Sequence, residues 1–333
     1  LPNLNGQVDQ GFGRQQSAST GIIEQNTTSS TSFNLSSSLP LFTGFKIPNQ
    51  IKSDELNLKA ATETLNKVKD NMQLTVASYF LDVLFKKEIL KVYEEQVQLS
   101  QIQLERTQSL VEAGKVPQSQ LYDIRAQLAN NELNVTTAKN DVDLSLLNLS
   151  QALNIRNSEG FDIEAPLLDD VITDNISSIQ PVDQVYRSSL VVKPHVKEAE
   201  YKLESSKADL KVAQSGYWPT LDLSASYTNG FEHVYKSGFD NISPSTQLGD
   251  NGREFIGLSL RIPIFNRFQI RNQVRAARLN IENQQLVLDN VKLELYKEIQ
   301  QAYQSAVAAQ SKYASTEKAY QAAEEAFKYA KER

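Results

Sequence analysis

Apolar residues alternate with polar ones along Leu221, Leu223, Ala225 and Tyr227, with Asp222, Ser224, Ser226 and Thr228 between them. The same period of two recurs over Ile256, Leu258, Leu260 and Ile262, interleaved with Phe255, Gly257, Ser259 and Arg261. Successive side chains of an extended chain point to opposite faces, so each run predicts a strand with one apolar and one polar face. An earlier pair is expected from Phe33, Leu35 and Leu39, with Ser37 as a gap in that face. Its less regular partner runs from Leu4 to Phe12 and places Leu4, Val8 and Phe12 on one side. The polar, Gly/Ser/Asn-rich stretches between paired strands, roughly 13–31 and 230–253, read as loops.

After each hairpin the period lengthens. Leu65, Val68, Met72, Val76, Tyr79 and Val83 step by three or four, the spacing of an amphipathic helix. No Pro or Gly interrupts 49–113, so this helix is of order 95 Å long, more than a globular domain's diameter. A helix of that length must pack along other helices over most of its extent. Gly114-Lys115-Val116-Pro117 ends it, with Gly suited to a C-cap and Pro to the first turn of the next helix. The return helix, from about 117 to 152, carries Leu121, Ile124, Leu128, Val135, Ala138, Val142 and Leu149. It ends near Leu153-Asn154-Ile155-Arg156-Asn157; after a mixed connector, another helix opens near Pro181, resumes at Pro194 and runs to about Gly216.

The pattern occurs twice. Leu39-Pro40-Leu41-Phe42-Thr43-Gly44-Phe45 returns as Ile262-Pro263-Ile264-Phe265-Asn266-Arg267-Phe268, an offset of 223 residues. Without a gap, Asn49-Gln50-Ile51 then matches Asn272-Gln273-Val274, and Leu56-Asn57-Leu58 matches Leu279-Asn280-Ile281. Leu1-Pro2-Asn3-Leu4 resembles Trp218-Pro219-Thr220-Leu221 at a slightly smaller offset, which implies unequal loops. Such self-similarity indicates a duplicated strand–strand–long-helix unit, a mainly α fold with β. Residues 1–155 form the first repeat, 156–180 a connector and 181–333 the second. The offset carries the expected buried face onto Leu288, Val291, Leu295, Ile299, Ala302 and Ala306.

Composition narrows the class. A formal net charge of −6 and a pI near 5.2 leave no general positive field for nucleic acid. With a mean hydropathy of −0.42, no stretch approaches the roughly 20 apolar residues of a membrane-spanning helix. A transmembrane β-barrel, whose strands hide apolar residues in alternate positions, stays open. Absence of cysteine removes disulfides and thiolate metal sites. The chain starts at Leu1 without a signal peptide, so any export signal is expected to have been removed or to lie outside it.

Four stretches carry a resemblance to a known family. They are the helix from Pro194 through Ala199 and Ala213 into Trp218-Pro219-Thr220-Leu221, and the strand end Leu260-Arg261-Ile262-Pro263-Ile264-Phe265 before an Ala-containing long helix. The others are the turn Val111-Glu112-Ala113-Gly114-Lys115-Val116-Pro117-Gln118-Ser119-Gln120-Leu121 and the helix end Leu146-Leu147-Asn148-Leu149-Ser150-Gln151-Ala152-Leu153-Asn154-Ile155. In this order the chain resembles the TolC family of outer-membrane efflux proteins over essentially its whole length. The resemblance implies a homotrimer in the outer membrane of a Gram-negative bacterium. Each protomer gives four strands, three protomers close a twelve-stranded barrel, and long helices form a periplasmic tunnel. It also implies docking of a periplasmic adaptor (membrane fusion) protein, with an inner-membrane transporter as an indirect partner, outer-membrane lipid around the barrel and no cofactor. Gly114 shifted by 223 falls past Arg333, so the second tip, its return helix and the family's gate residues are expected outside this sequence.

Candidate sites follow. Gly114, Lys115, Val116, Pro117, Ser119, Gln120 and Leu121 read as the adaptor-docking tip, or as an ordinary helical-hairpin turn. Leu221, Leu223, Tyr227, Ile256, Leu258 and Leu260 read as the lipid-facing strand surface, with Asp222, Ser224 and Ser259 on the opposite face. Arg267, Arg271, Arg275 and Arg278 read as a basic face at the pore entrance, or as a solvated helix face. Trp218 and Tyr227 suit membrane-interface anchors, and simple packing at the barrel base suits Trp218 equally. His195 and His233 lack metal-ligand spacing, and Asp169-Asp170 reads as a solvated pair rather than an acid–base site. No nucleophile or nucleotide motif appears, so no enzyme is expected. The readings in play are a passive channel of a tripartite efflux pump, a channel for type I protein secretion, and a coiled-coil scaffold without a pore.

Overall fold

The computed structural model describes residues 1–19, 22–156, 160–164, 180–236 and 240–332. Strands β1 (Asn5–Ser19), β2 (Ile22–Phe42), β3 (Thr220–Tyr235) and β4 (Arg253–Arg261) form one antiparallel sheet in the order β1-β2-β3-β4. The helices are α1 (Lys46–Glu112), α2 (Gln118–Ala152), α3 (Val182–Val192), α4 (Pro194–Gln214), α5 (Pro244–Asp250) and α6 (Gln269–Glu332). A 3₁₀ turn at Ser215–Tyr217 leads from α4 into β3. By contacts the chain divides into two compact units, Leu1–Ala60 with Glu198–Val291, and Ala61–Lys197 with Lys292–Arg333.

In the first unit, register sorts the sheet into two faces. Leu39 pairs with Leu223 and Leu223 with Leu258; Phe42 pairs with Leu221 and Leu221 with Leu260. Val8 opposite Phe33, and Leu35 opposite Tyr227, continue that apolar face. A register shift between Pro40 and Phe42 skips Leu41 and keeps Phe42 in line with Leu221; a bulge is a position that tolerates proline's missing N–H. Asn34, Ser36 and Ser38 share the other face with Asp222, Ser224, Ser226, Thr228 and Ser259.

The two expected loops are largely structured. β1 and β2 stay paired from Gly13↔Thr28 to Ser19↔Ile22, because ladder bonds come from the backbone and need no apolar side chain. β3 likewise continues to Tyr235, beyond the last β4 pair at Thr228↔Arg253. Its uncovered edge is met by side-chain amides of the following segment. Val234 N–H donates to Asn241 Oδ1 (2.8 Å) and Asn241 Nδ2 donates back to Val234 C=O (2.9 Å). Gln247 treats Glu232 the same way, at 2.8 and 2.9 Å, and Asn251 Nδ2 donates to Gly230 C=O at 2.9 Å. A bare strand edge is an aggregation template, and these amides blunt it.

The junctions from strand to long helix repeat at the sequence offset. Gly44 and Phe45 have φ +62° and +65°, while Arg267 and Phe268 have +54° and +61°. Lys46 N–H donates to Thr43 C=O at 3.1 Å, and Gln269 N–H to Asn266 C=O at 3.0 Å. Phe42–Phe45 and Phe265–Phe268 are edge-to-face pairs at 5.3 and 5.6 Å. The surroundings differ: a Cβ on Gly44 would lie 2.6 Å from the Ser215 carbonyl oxygen and 2.7 Å from Trp218 Cβ. Gly44→Ala is therefore expected to cost about 2 kcal/mol or more, through left-handed strain plus overpacking. Arg267→Gly, at the equivalent turn, should be neutral or stabilising by up to about 1 kcal/mol. Thermal denaturation midpoints of the two variants check the contrast.

Below these turns α1 and α4 pack through small residues. Ser53, Ala60, Leu203, Ser205, Ser206 and Ala208 are buried, with Ser53 Oγ donating to Asp209 (2.5 Å) and lying 3.0 Å from Ser205 Oγ. On α6, Ile270, Val274, Ala277, Ile281, Gln284 and Leu288 are buried or half-buried at alternating steps of four and three.

In the second unit α1 and α2 form an antiparallel helical hairpin. On α2, Leu121, Ile124, Leu128, Asn131, Val135, Ala138, Val142, Ser145 and Leu149 are all buried or half-buried, a strict seven-residue repeat of the coiled-coil kind. The seam on α1 keeps only part of the expected face. Val83 is fully buried and Val76 half-buried, and Leu90, Val97 and Leu104 follow Val83 half-buried at seven-residue steps. Leu65, Val68, Met72 and Tyr79 are instead 53, 53, 49 and 37% exposed, although Leu288 and Leu295, matching Leu65 and Met72, are buried. A further apolar stripe, Leu81, Phe85, Val92 and Leu99, is also exposed. α1 thus carries more apolar surface than this chain covers.

Candidate functional site

The turn at 113–117 is closed by backbone geometry. Lys115 N–H donates to Leu110 C=O and Gly114 N–H to Val111 C=O, both at 2.9 Å, with Gly114 at φ +68°. This is the paired-bond Schellman ending, which satisfies two orphan carbonyls of α1. A Cβ on Gly114 would meet nothing within 4 Å, so glycine is there for its backbone angle and the turn's outer side is open. Pro117, extended at φ −72° and ψ 151°, caps α2, and Gln120 N–H reaches its carbonyl at 3.2 Å. Leu121 is buried and Val116 half-buried, whereas Lys115, Ser119 and Gln120 are exposed. Of the seven residues singled out, two are turned inward and five are open.

A polar layer stiffens the hairpin behind this turn. Asn131 Nδ2 donates to Ser100 Oγ at 2.6 Å, and Ser100 Oγ donates to Gln96 C=O at 2.9 Å. Both side chains are buried, about four helical turns from the connection. Apolar periodicity does not single out Asn131; its place in the seven-residue repeat is the signal that does.

The sheet brings the strand candidates together. Leu221 and Leu260, Leu223 and Leu258, and Ala225 and Ile256 are cross-strand neighbours on one face. Leu258, Leu260 and Ile256 are 67, 62 and 79% exposed, an apolar surface without cover. Tyr227 sits on that face, its hydroxyl accepting from Asn229 Nδ2 at 3.0 Å. From Phe42 to Phe33 the apolar run measures roughly 30 Å along β2, about 23 Å of height at a barrel strand's usual tilt. Trp218 is half-exposed and packs edge-to-face on Phe45 at 6.1 Å, so an aromatic cluster ends the run.

Arg267, Arg271, Arg275 and Arg278 are all exposed. On α6 the last three share one flank, about a quarter turn from the Val274–Ile281 seam. The Arg271 guanidinium lies over the Phe268 ring at 6.0 Å. His233 is exposed and meets Tyr235 edge-to-face at 4.6 Å, while His195 is half-buried. Asp169 and Asp170 lie outside the described residues. Among the described residues no group of His, Cys, Asp or Glu is placed to hold a metal.

In the second unit an apolar groove of about 940 Å³ is lined by Met72, Val76, Phe80, Leu149, Phe161 and Ile163. Its 160–164 wall is pinned by Lys87, which donates to the Asp162 carboxylate and to Ile163 C=O (3.2 Å). The Lys87 hydrogen bond, then the Ile163 N–H, hold the Asp162 pKa below the ordinary carboxylate value.

Comparison with known proteins agrees with this architecture. The family model described as "Outer membrane efflux protein" matches residues 1–154 and 185–333. "Outer membrane protein TolC" of Escherichia coli K12 is 25% identical over 282 residues, covering 81% of this chain and 54% of its own length. The crystal structure of the CusC channel superposes with a TM-score of 0.73 at 17% identity, covering 97% of this chain and 70% of that one. The Campylobacter jejuni CmeC outer membrane channel gives 0.71 at 19%, covering 100% and 68%. The chain spans about half the length of the curated relatives it matches.

Proposed function

The chain belongs to the outer membrane efflux protein family, and from that membership we propose that it builds the outer-membrane channel of a tripartite efflux pump. The observation that carries this reading is the open, two-faced sheet joined by tight turns to helices of 67 and 64 residues. One sheet face is apolar over a bilayer's thickness and the other is polar. Among the described residues no strand covers the outer edges of β1 and β4. Four strands cannot close by themselves, and lipid tolerates no open edge, so β4 of one copy pairs with β1 of the next in a homotrimer. The apolar stripes left bare on α1 are then covered by neighbouring helices.

In this arrangement Leu221, Leu223, Tyr227, Ile256, Leu258 and Leu260 face lipid. Asp222, Ser224 and Ser259 line the lumen, and the 114–121 tip docks a periplasmic adaptor. Arg267, Arg271, Arg275 and Arg278 form a basic face near the pore entrance. Residues 1–155 and 181–333 are two copies of one unit, a reading supported by their matched junction turns. The channel is passive and performs no chemistry; partner proteins supply the energy. A scaffold without a pore has no use for the bare apolar sheet face. The test is fractionation of the full-length protein, with efflux measured in cells lacking it. Sedimentation with outer membranes as a heat-modifiable trimer, and drug sensitivity on deletion, are expected. A soluble rod would overturn the proposal.

A further inference from the structure

We infer that Phe255 is a stacking site for planar aromatic solutes on the inner wall of the channel. The inference rests on the channel reading above, which makes the sheet's polar face the lumen. Phe255 pairs with Ser226 and is the one aromatic side chain on that face among the described residues. Every other aromatic of the four strands falls on the apolar face: Phe12, Phe33, Phe42, Tyr227, Phe231 and Tyr235. Alternation alone would place a polar residue at 255, between Arg253 and Gly257.

The ring is also seated. It folds along β4 over Gly257, so that a Cβ there would lie 2.6 Å from Phe255 Cζ and 2.9 Å from Cε1. One ring face is thus set against the strand backbone. The side chain is still 60% exposed, which leaves the other face to the lumen. Across the strand stand small hydroxyl residues, Ser226 opposite and Ser224, whose Oγ lies 3.4 Å from the Gly257 carbonyl oxygen, while Arg253 shares the face two residues along β4. A rigid ring seated over Gly257, with only serines across the strand from it, lets a planar aromatic molecule stack on its exposed face. Threefold repetition would present the platform three times around one lumen and raise the chance of rebinding.

Reconstitution of the full-length channel in planar bilayers tests this, with an acridine dye and an aliphatic tetraalkylammonium of the same charge as probes. The dye should block current more strongly than the aliphatic cation. Phe255→Ser should weaken dye block about five- to tenfold, the size of one aromatic stack, and leave the aliphatic cation unaffected. Phe255→Tyr should keep the block, and Gly257→Ala, which lifts the ring, should weaken it with Phe255 still present. If Phe255→Ser lowers the trimer's thermal stability but leaves dye block unchanged, the ring only packs over Gly257 and the inference falls. Conductance without preference for the dye in the unaltered channel also refutes it and spares the channel reading. No conductance at all would remove both.

Discussion

Arginine in place of Leu258 is expected to cost about 2–4 kcal/mol if the residue lies near the bilayer midplane, and to strip the protein from the outer membrane. Leu258 pairs with Leu223, which in turn pairs with Leu39, so the guanidinium would enter a row of aliphatic side chains running across three strands. Nothing on that row can accept its hydrogen bonds, and a cation held in hydrocarbon must snorkel or drag water inward. The control is one residue away. Ser259 pairs with Asp222 on the opposite face, and Ser259→Arg should be tolerated because a carboxylate and solvent await it. Trimer yield in purified outer membranes measures both. Equal yields would contradict the assignment of lipid to the apolar face, and a loss confined to Ser259→Arg would invert it.

The second large effect is expected at the helical tip, where Gly114→Trp or Ser119→Arg should abolish export and leave insertion and trimer formation intact. Open space around a Cβ at Gly114 means that a side chain there would project outward rather than into the hairpin. The positive φ adds strain of about 1–2 kcal/mol, small beside the packing and the Asn131–Ser100 bond that hold α1 and α2 together. Ser119 is exposed, so a longer, charged side chain changes the turn's outer surface and little else. In the proposed homotrimer a contact surface this small would bind weakly by itself and gain strength by repetition around the threefold axis, so one blocking side chain would count three times. Drug accumulation and trimer yield should be measured in the same cells. Normal export by both variants would reduce the tip to a connecting turn, and loss of the trimer would assign it a role in folding.

Much of this was legible locally. Leu221 to Thr228 alternate in the sequence and share out between two faces in the sheet, because the side-chain period of an extended chain is built into its backbone. Gly114 and Pro117 mark the hairpin turn because one tolerates a positive φ and the other starts a helix well. The offset of 223 residues likewise reappears in backbone angles at Gly44 and Arg267.

What depended on distant neighbours was not legible. Leu65 and Leu288 occupy matching places in the sequence, but only Leu288 finds cover within the chain. An amphipathic pattern states that a face seeks a partner; the surrounding helices decide whether one chain supplies it. The polar segments beyond Phe12 and Asn229 read as loops because their pattern lacked a face. The first is strand, and the second begins as strand to Tyr235, because backbone pairing, and amides such as Asn241 and Gln247, satisfy groups that no hydrophobic pattern records. Gly44 eases its own angle, which Arg267 also adopts at the matching turn, but it is required by Ser215, far along the chain, whose carbonyl leaves no room for a Cβ. Sequence by itself determined the long helices, the two-faced parts of the strands and their order, since these follow from short-range backbone geometry and side-chain period. Only the tertiary structure decided which apolar faces remain bare and which polar groups meet, since burial and hydrogen bonding belong to pairs of residues brought together by the fold.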